Sequence, residues 1–312
     1  MDKETLTKYV KENPELISLK HYDMYGSRLM LLKYKNKVFW KNLWTPELME
    51  CRGLIVDSDW NIVQRPFTKV FNYGEKNAPI FKDSDRVITV RKINGFMAAV
   101  TVHNGELLVS TTGSLYSEFV HLAKKWISHE LERKIKNLSN IENYTLIFEI
   151  VDVENDPHII KERVSGPYLI GIRKKDWDSV PVHPWNVQAM AESLGCYSPQ
   201  MFRHLKFGQA LEMVKGVYHE GFMLYDPNNL NKAVKLKSPT YLMTKLFGRM
   251  KDEKLAQFLS NINQKKKSLI DEEYYPLLDH IKENNESFTL LDTNGRIEFI
   301  RNFLEDTYRG KS

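Results

Sequence analysis

Only two cysteines, Cys51 and Cys196, occur in the 312 residues, and they lie far apart and outside any Cys-x-x-Cys spacing. This excludes a disulfide framework and a thiolate zinc site, so both thiols are expected to be reduced and buried. No apolar run is long enough to span a bilayer, and residues 1–16 are charged and amphipathic where a signal peptide would carry an apolar core. A soluble cytoplasmic protein with no membrane partner is the expectation, in the host cytoplasm if the source is viral. There is no internal repeat and no low-complexity tract; the nearest approach is the basic run Gln264-Lys265-Lys266-Lys267, which reads as a linker. The histidines fall at no spacing that would set two on one helix face beside a carboxylate, so they form no metal motif.

What is present is the balance of a folded globular chain, with 42% hydrophobic and 27% charged residues. The length divides more naturally into one large domain and a smaller one than into a single unit. A formal net charge of +5 admits a polyanionic partner without requiring one.

Helical spacing opens the chain at residues 3–11. Alternating aromatic-rich segments at 29–34 and 37–40 predict a hairpin, and 54–57 with 62–65 predict a second. A third strand cluster is expected from 87–91, 96–102 and 107–110, closed by the tight turn at Asn104-Gly105. Residues 115–137 have helical spacing, with Leu115, Phe119, Leu122, Trp126 and Ile127 available to one face. Strands return at 144–151 and 168–172, helices at 185–194 and 209–215, and strands at 221–225 and 233–237. After Ser238-Pro239 only helical periodicity remains, over 240–261, 268–283 and 294–308. The expected class is α+β: mainly antiparallel sheets with flanking helices over residues 1–238, and a small all-α domain over 239–312.

Lys92-Ile93-Asn94-Gly95 falls between two predicted strands, where a glycine permits close approach of the backbone to a ligand. By itself Lys-x-x-Gly is a weak signal, because it recurs at Lys245-Leu246-Phe247-Gly248 inside a predicted helix. The first copy is distinguished by the groups C-terminal to it, in the order Phe148-Glu149, then Glu220-Gly221-Phe222, then Lys235-Leu236-Lys237. Each group has a use in nucleotidyl transfer. A lysine that attacks a phosphate must be neutral, a state favoured by desolvation or by nearby cations such as Arg52, Lys235 and Lys237. Strand alternation puts Lys235 and Lys237 on one face, where both can meet one phosphate. Glu149 and Glu220 can accept from sugar hydroxyls or a base amine, or offer oxygen ligands to magnesium.

Two further blocks precede the lysine: Glu50-Cys51-Arg52-Gly53-Leu54-Ile55-Val56 and Arg65-Pro66-Phe67-Thr68-Lys69-Val70-Phe71-Asn72. With them, residues 52–241 resemble the covalent nucleotidyltransferase superfamily and, within it, the RNA ligase 1 family typified by bacteriophage T4. The resemblance implies a nucleotidyltransferase (adenylation) domain and an ATP-dependent RNA ligase that needs Mg2+, or Mn2+ in its place. Lys92 would be the nucleophile that becomes lysyl-AMP, with Asn94 and Gly95 beside the nucleotide. Arg52 and Lys69 would bind the triphosphate, Glu149 the ribose, and Glu220 the adenine side or the metal. Lys235 and Lys237 would contact the α-phosphate, and Tyr241 matches a family tyrosine. The implied role is joining of RNA 3′-hydroxyl and 5′-phosphate ends in RNA repair, tRNA broken in its anticodon loop included, by a monomer. One departure is visible: Thr112 stands before Gly113-Ser114 where the phage T4 type has a lysine. The rival classes are a DNA ligase or capping-type nucleotidyltransferase, whose chains resemble ones that continue into a β-barrel where this one continues into helices, and a non-catalytic RNA-binding relative, which would not need the five-residue charged set together. Basic residues from Lys232 to Lys267 could track an RNA backbone, or could equally be a solvated helical face.

Overall fold

A computed structural model describes residues 1–156, 158–261 and 275–308. The run Gln264–Lys267 and the first part of the predicted 268–283 helix lie outside the described residues. The chain forms two compact units, Met1–Glu212 with Phe222–Leu236, and Met213–Gly221 with Lys237–Ser312.

The first unit carries three sheets. In the first, β1 (Ile17–Met24), β2 (Ser27–Tyr34), β3 (Arg52–Asp57) and β4 (Ile62–Gln64) pair antiparallel in chain order. The β1–β2 turn sets Tyr25 and Gly26 at φ +50° and +73°, the left-handed pair that a two-residue hairpin requires. This corrects the predicted 29–34/37–40 hairpin: the partner of β2 is β1, and Asn36–Trp40 is a short helix, α2. β1 escaped notice because it is an edge strand with a single buried residue, Ile17, so its alternation carries little hydrophobic signal. Helix α1 (Lys3–Glu12), capped by Asp2, and α3 (Pro46–Glu50), capped by Thr45, add Leu6, Val10 and Leu48 to the core of this sheet.

The second sheet has the order β10 (Gly166–Lys174), β9 (Tyr144–Val151), β7 (Phe96–His103), β8 (Glu106–Ser110). Asn104 and Gly105 close β7 onto β8 at φ +51° and +79°, as expected of Asn-Gly. One face of this sheet is covered by α4 (Glu118–Trp126), α5 (His129–Lys136) and α6 (Pro184–Leu194). The single helix expected over 115–137 is two, because Ile127 leaves helical geometry and the Ser128 hydroxyl caps the next start by accepting from the Leu131 N–H at 3.2 Å. The third sheet runs β11 (Met201–Lys206), β6 (Arg86–Arg91), β12 (Gly221–Asp226), β13 (Asn229–Lys237), β5 (Phe71–Asn72), with β5 parallel to β13. Its neighbour α7 spans Phe207–Lys215. β6 and β7, expected in one cluster, therefore belong to different sheets.

In the second unit α8 (Pro239–Gly248) and α9 (Asp252–Ser260) are succeeded by helices at Tyr275–Glu283, Asn285–Leu290 and Thr293–Tyr308. The unbroken 240–261 helix is thus two, separated at Arg249 to Lys251. Phe247, Leu255, Leu277, Ile281, Phe288 and Ile300 form its core. Gly248, the glycine of the second Lys-x-x-Gly, is a packing residue: a Cβ there would stand 2.4 Å from the Ile297 side chain. No helix among the described residues is long and apolar enough to cross a membrane. Both cysteines are free thiols; Cys51 is buried, whereas Cys196 is only half-buried, and burial pushes them up to about 12 and about 11.

A buried ion triad ties the first sheet region to the second. Glu50, at the end of α3, accepts from Arg65 Nη2 at 2.9 Å and from Arg173 Nη2 at 3.4 Å, and both arginines are 2% exposed. Arg173 Nη1 also donates to the Pro66 carbonyl (2.9 Å), and Arg65 to the carbonyls of Trp177 (3.1 Å) and Asp176. Burial alone would raise the Glu50 pKa, but the Arg173 charge and the Arg65 bonds outweigh it and hold the carboxyl below its ordinary value. Glu50→Ala would leave two buried guanidinium groups without their anion and is expected to cost about 3–5 kcal/mol in chemical denaturation. With the folded pKa below the unfolded one, the contribution of Glu50 is present above the ordinary carboxylate range and is lost as pH falls through the folded value. Glu50→Gln should flatten that acid loss.

Candidate active site

Lys92-Ile93-Asn94-Gly95 is the passage from β6 in the third sheet to β7 in the second. A cavity of about 240 Å³ opens beside it, within the first unit. Arg52, Lys92, Gly95, Glu149 and Lys235 line it together, with Met97, Ile170, Met223, Tyr225 and Leu230 among its apolar walls. The cavity thus draws on both sheets: Glu149 comes from β9, and Lys235 from β13.

Local chemistry fixes each position. A Cβ on Gly95 would lie 2.2 Å from the Ile150 carbonyl oxygen, so only glycine lets the chain pass this close to β9. At that approach the Gly95 N–H donates to Glu149 Oε1 at 3.2 Å. Met97, directly opposite Glu149 in the β7–β9 register, faces the same side, and its sulfur lies 3.3 Å from Arg52 Nη1. Burial lowers the Arg52 pKa while Tyr34 and Glu149 oppose the shift; an arginine remains charged regardless. Ile170 reaches the cavity as the extra residue of a bulge in β10 between Leu169 and Gly171. A Cβ on Gly171 would stand 2.0 Å from Phe67, so that ring lies directly against the glycine, after Pro66 whose carbonyl Arg173 holds. Burial pushes the Tyr225 phenol up to about 12, which keeps it neutral.

Lys92 is half-buried, with Nζ 3.4 Å from the Ile93 carbonyl oxygen. Its two flanks are held by one carboxylate that sequence reasoning missed. Glu162, 4% exposed, accepts from Arg91 Nη2 at 2.6 Å through one oxygen and from the Asn94 N–H at 3.2 Å through the other. Asn94, expected beside the nucleotide, instead uses its side-chain oxygen to accept from the Ile160 N–H at 2.9 Å. Glu162 sits between Lys161 and Arg163, a charge run that looks solvated, so no sequence signal marked it.

The remaining expected residues are placed elsewhere. Lys69 does not line this cavity, although Thr68 and Val70 on either side of it do. Its ammonium lies 3.8 Å from Glu75 and 4.4 Å from the Phe71 ring centre, in a neighbouring recess, and burial lowers its pKa while Glu75 opposes. Glu220, Lys237 and Tyr241 belong to the second unit and meet one another there: Lys237 Nζ is 3.8 Å from Glu220 and 4.7 Å from the Tyr241 ring centre. Thr112 packs against Gly53, where a Cβ would come within 2.9 Å of the Thr112 Cα, and φ is +89°. Beside that turn Lys20 donates to the Gly113 carbonyl at 2.7 Å, and Lys33, the cross-strand partner of Arg52, lies close to Gly113.

The likeness of this chain to solved ligases is one of fold. Two solved structures of an archaeal ATP-dependent RNA ligase align with TM-scores of 0.60 and 0.55, at 14% and 13% identity, covering 89% and 97% of this chain and 75% and 76% of theirs. Residues 50–246, more than half of the chain, match the T4-type RNA ligase 1 family, described as RNA ligase, and the chain belongs to that family. RNA ligase 1 of bacteriophage TS2126 is 32% identical over 146 residues, which cover 41% of this chain and 37% of that protein. The chain spans about 37% of the length of the curated relatives it matches.

Removing the Glu162 carboxylate should loosen the Lys92 turn without unfolding the sheets. In Glu162→Ala, amide exchange at Asn94 is expected to speed up by about tenfold or more, the loss of a bond to a charged acceptor, with β1–β2 amides unchanged in the same hydrogen-exchange experiment.

Proposed function

We propose that this chain is an ATP-dependent RNA ligase with Lys92 as the nucleophile. One observation carries the reading: Lys92 opens onto a cavity that also holds Arg52, Glu149 and Lys235. Lys92 Nζ attacks the α-phosphorus of ATP, forming a P–N bond as pyrophosphate leaves. An oxygen of an RNA 5′-phosphate then attacks the same phosphorus and breaks the P–N bond. Finally an RNA 3′-hydroxyl attacks the 5′-phosphorus and AMP departs.

The apolar walls from Ile170, Met223 and Tyr225 suit a purine base, and Glu149, buried and already anchored by the Gly95 N–H, suits the ribose hydroxyls. Arg52 and Lys235 take up phosphate charge, and in a partly dehydrated cavity preorganised cations are worth more than in water. Among the described residues no group of three or more His, Cys, Asp or Glu could cage a metal. Mg2+ or Mn2+ would arrive with the nucleotide phosphates, with Glu149 as a protein oxygen ligand. A bound divalent ion would neutralise charge on the departing pyrophosphate.

The reading divides the chain into an adenylation domain, 1–238, and a helical domain, 239–312; the change to helices after Ser238 supports it. Family membership supports RNA ends as substrates, with broken tRNA as one source; the reading includes a cytoplasmic monomer.

With α-labelled ATP and Mg2+ the protein should become labelled, and Lys92→Ala should abolish the label. An unlabelled wild type or a labelled mutant would sink the mechanism. Lys235→Ala should slow lysyl-AMP formation by about 10²–10³. A 5′-phosphorylated RNA, and not the matching DNA, should then be joined.

A further inference from the structure

Between Asp23 and Glu47 the chain carries Arg28, Lys33, Lys35, Lys37 and Lys41 and no acidic residue. Within this stretch the short helix α2 places two large aromatic side chains in solvent, Phe39 at 57% and Trp40 at 76% exposure. They point outward because Val38, between them and the first sheet, takes the buried position in the core with Leu48 and Leu54. Lys35, Lys37, Lys41 and Leu43 are exposed around them. Adjacent exposed aromatics ringed by cations are uncommon on a folded surface and mark a binding site more often than a solvated face.

The surface continues toward the candidate active site. Asn42, in the left-handed region after α2, accepts from the Asn77 side chain at 2.7 Å. In the segment leading to Asn77, Tyr73 is 52% exposed, and its N–H donates to the carbonyl of Lys235, which lines the nucleotide cavity, at 2.8 Å. Trp44, in the chain just after α2, packs edge-on against Tyr34 and Phe71 at 4.8 and 5.5 Å between ring centres. All of these residues belong to the first unit.

We infer that the α2 surface, with Phe39 and Trp40 as stacking platforms and Lys35, Lys37 and Lys41 as phosphate contacts, binds single-stranded RNA next to the ligation site. Unpaired bases stack on exposed aromatic faces with little dependence on sequence, and interleaved lysines neutralise the backbone between them. The charge favours RNA over a protein partner, since a stretch with no acid and several cations is matched by a polyanion. Lys35, Lys37, Phe39, Trp40 and Lys41 lie outside residues 50–246, so this part of the surface is a property of this chain that the family match does not supply. The inference rests on the ligase reading for its purpose, and not for its test.

Phe39→Ala/Trp40→Ala and Lys37→Glu/Lys41→Glu change only exposed side chains, so both proteins should keep the wild-type melting temperature. Binding of a fluorescent single-stranded RNA of about 12 nucleotides, a length within the usual site size, is measured at several salt concentrations. Expected is a rise in Kd of about fivefold or more in each variant, with a shallower salt dependence for the lysine pair. Lysyl-AMP formation from ATP should stay within about twofold of wild type in both, because that step uses no RNA. RNA affinity unchanged in both variants, or a wild type that binds no single-stranded RNA, overturns the inference and leaves a protein partner as the occupant of the patch. A wild type that forms no lysyl-AMP would instead defeat the ligase reading, while the RNA affinities still decide the surface.

Discussion

The candidate site depends on how closely two backbones approach. Where β6 gives way to β7 the chain passes so near Ile150 that a single methyl group at residue 95 would meet a carbonyl oxygen. This approach sets several other placements: the Gly95 N–H reaches Glu149, Met97 falls opposite that carboxylate, and Lys92 is left at the seam between two sheets. A loop of ordinary bulk would hold the same residues farther apart. Glycine here has a steric purpose and no need of unusual backbone angles.

A second constraint acts from outside the cavity. The buried Glu50–Arg65–Arg173 triad does not line the cavity, yet Arg173 holds the Pro66 carbonyl and so sets the stretch of chain that carries Phe67 and Thr68 to the cavity wall. Buried ion pairs are poor sources of net stability, because desolvation consumes most of the attraction, but they fix geometry strictly. The Arg-Pro-Phe block therefore combines a structural arginine with wall residues, and only part of its sequence signature concerns the ligand.

The strands with runs of buried apolar residues, β3, β4, β7, β8 and β9, were legible in the sequence, as was the Asn104-Gly105 turn. β1 was not, since an edge strand of Lys20, His21 and Asp23 lacks that pattern, and α2 was misread because a short aromatic segment fits either period. The helix breaks at Ile127 and Arg249 were hidden because hydrophobic spacing runs through both. At the site, Lys92, Glu149, Arg52 and Lys235 were named from their order along the chain, which survives folding. Glu162 and the assignment of β6 and β7 to separate sheets were not legible, because both depend on which distant segments meet. Asn94 shows the same limit: its place in the motif was evident, but its partner, the Ile160 N–H, lies 66 residues on.

The two thiols described with the fold have a practical side. Burial pushes both the Cys51 and the Cys196 thiol up and so disfavours the thiolate, which is the form that alkylating reagents meet. Both thiols should therefore react with maleimide more slowly than an exposed cysteine does. A cysteine introduced at one exposed position should react first, which would let a dye or crosslinker be directed to it with the protein's own sulfur in place.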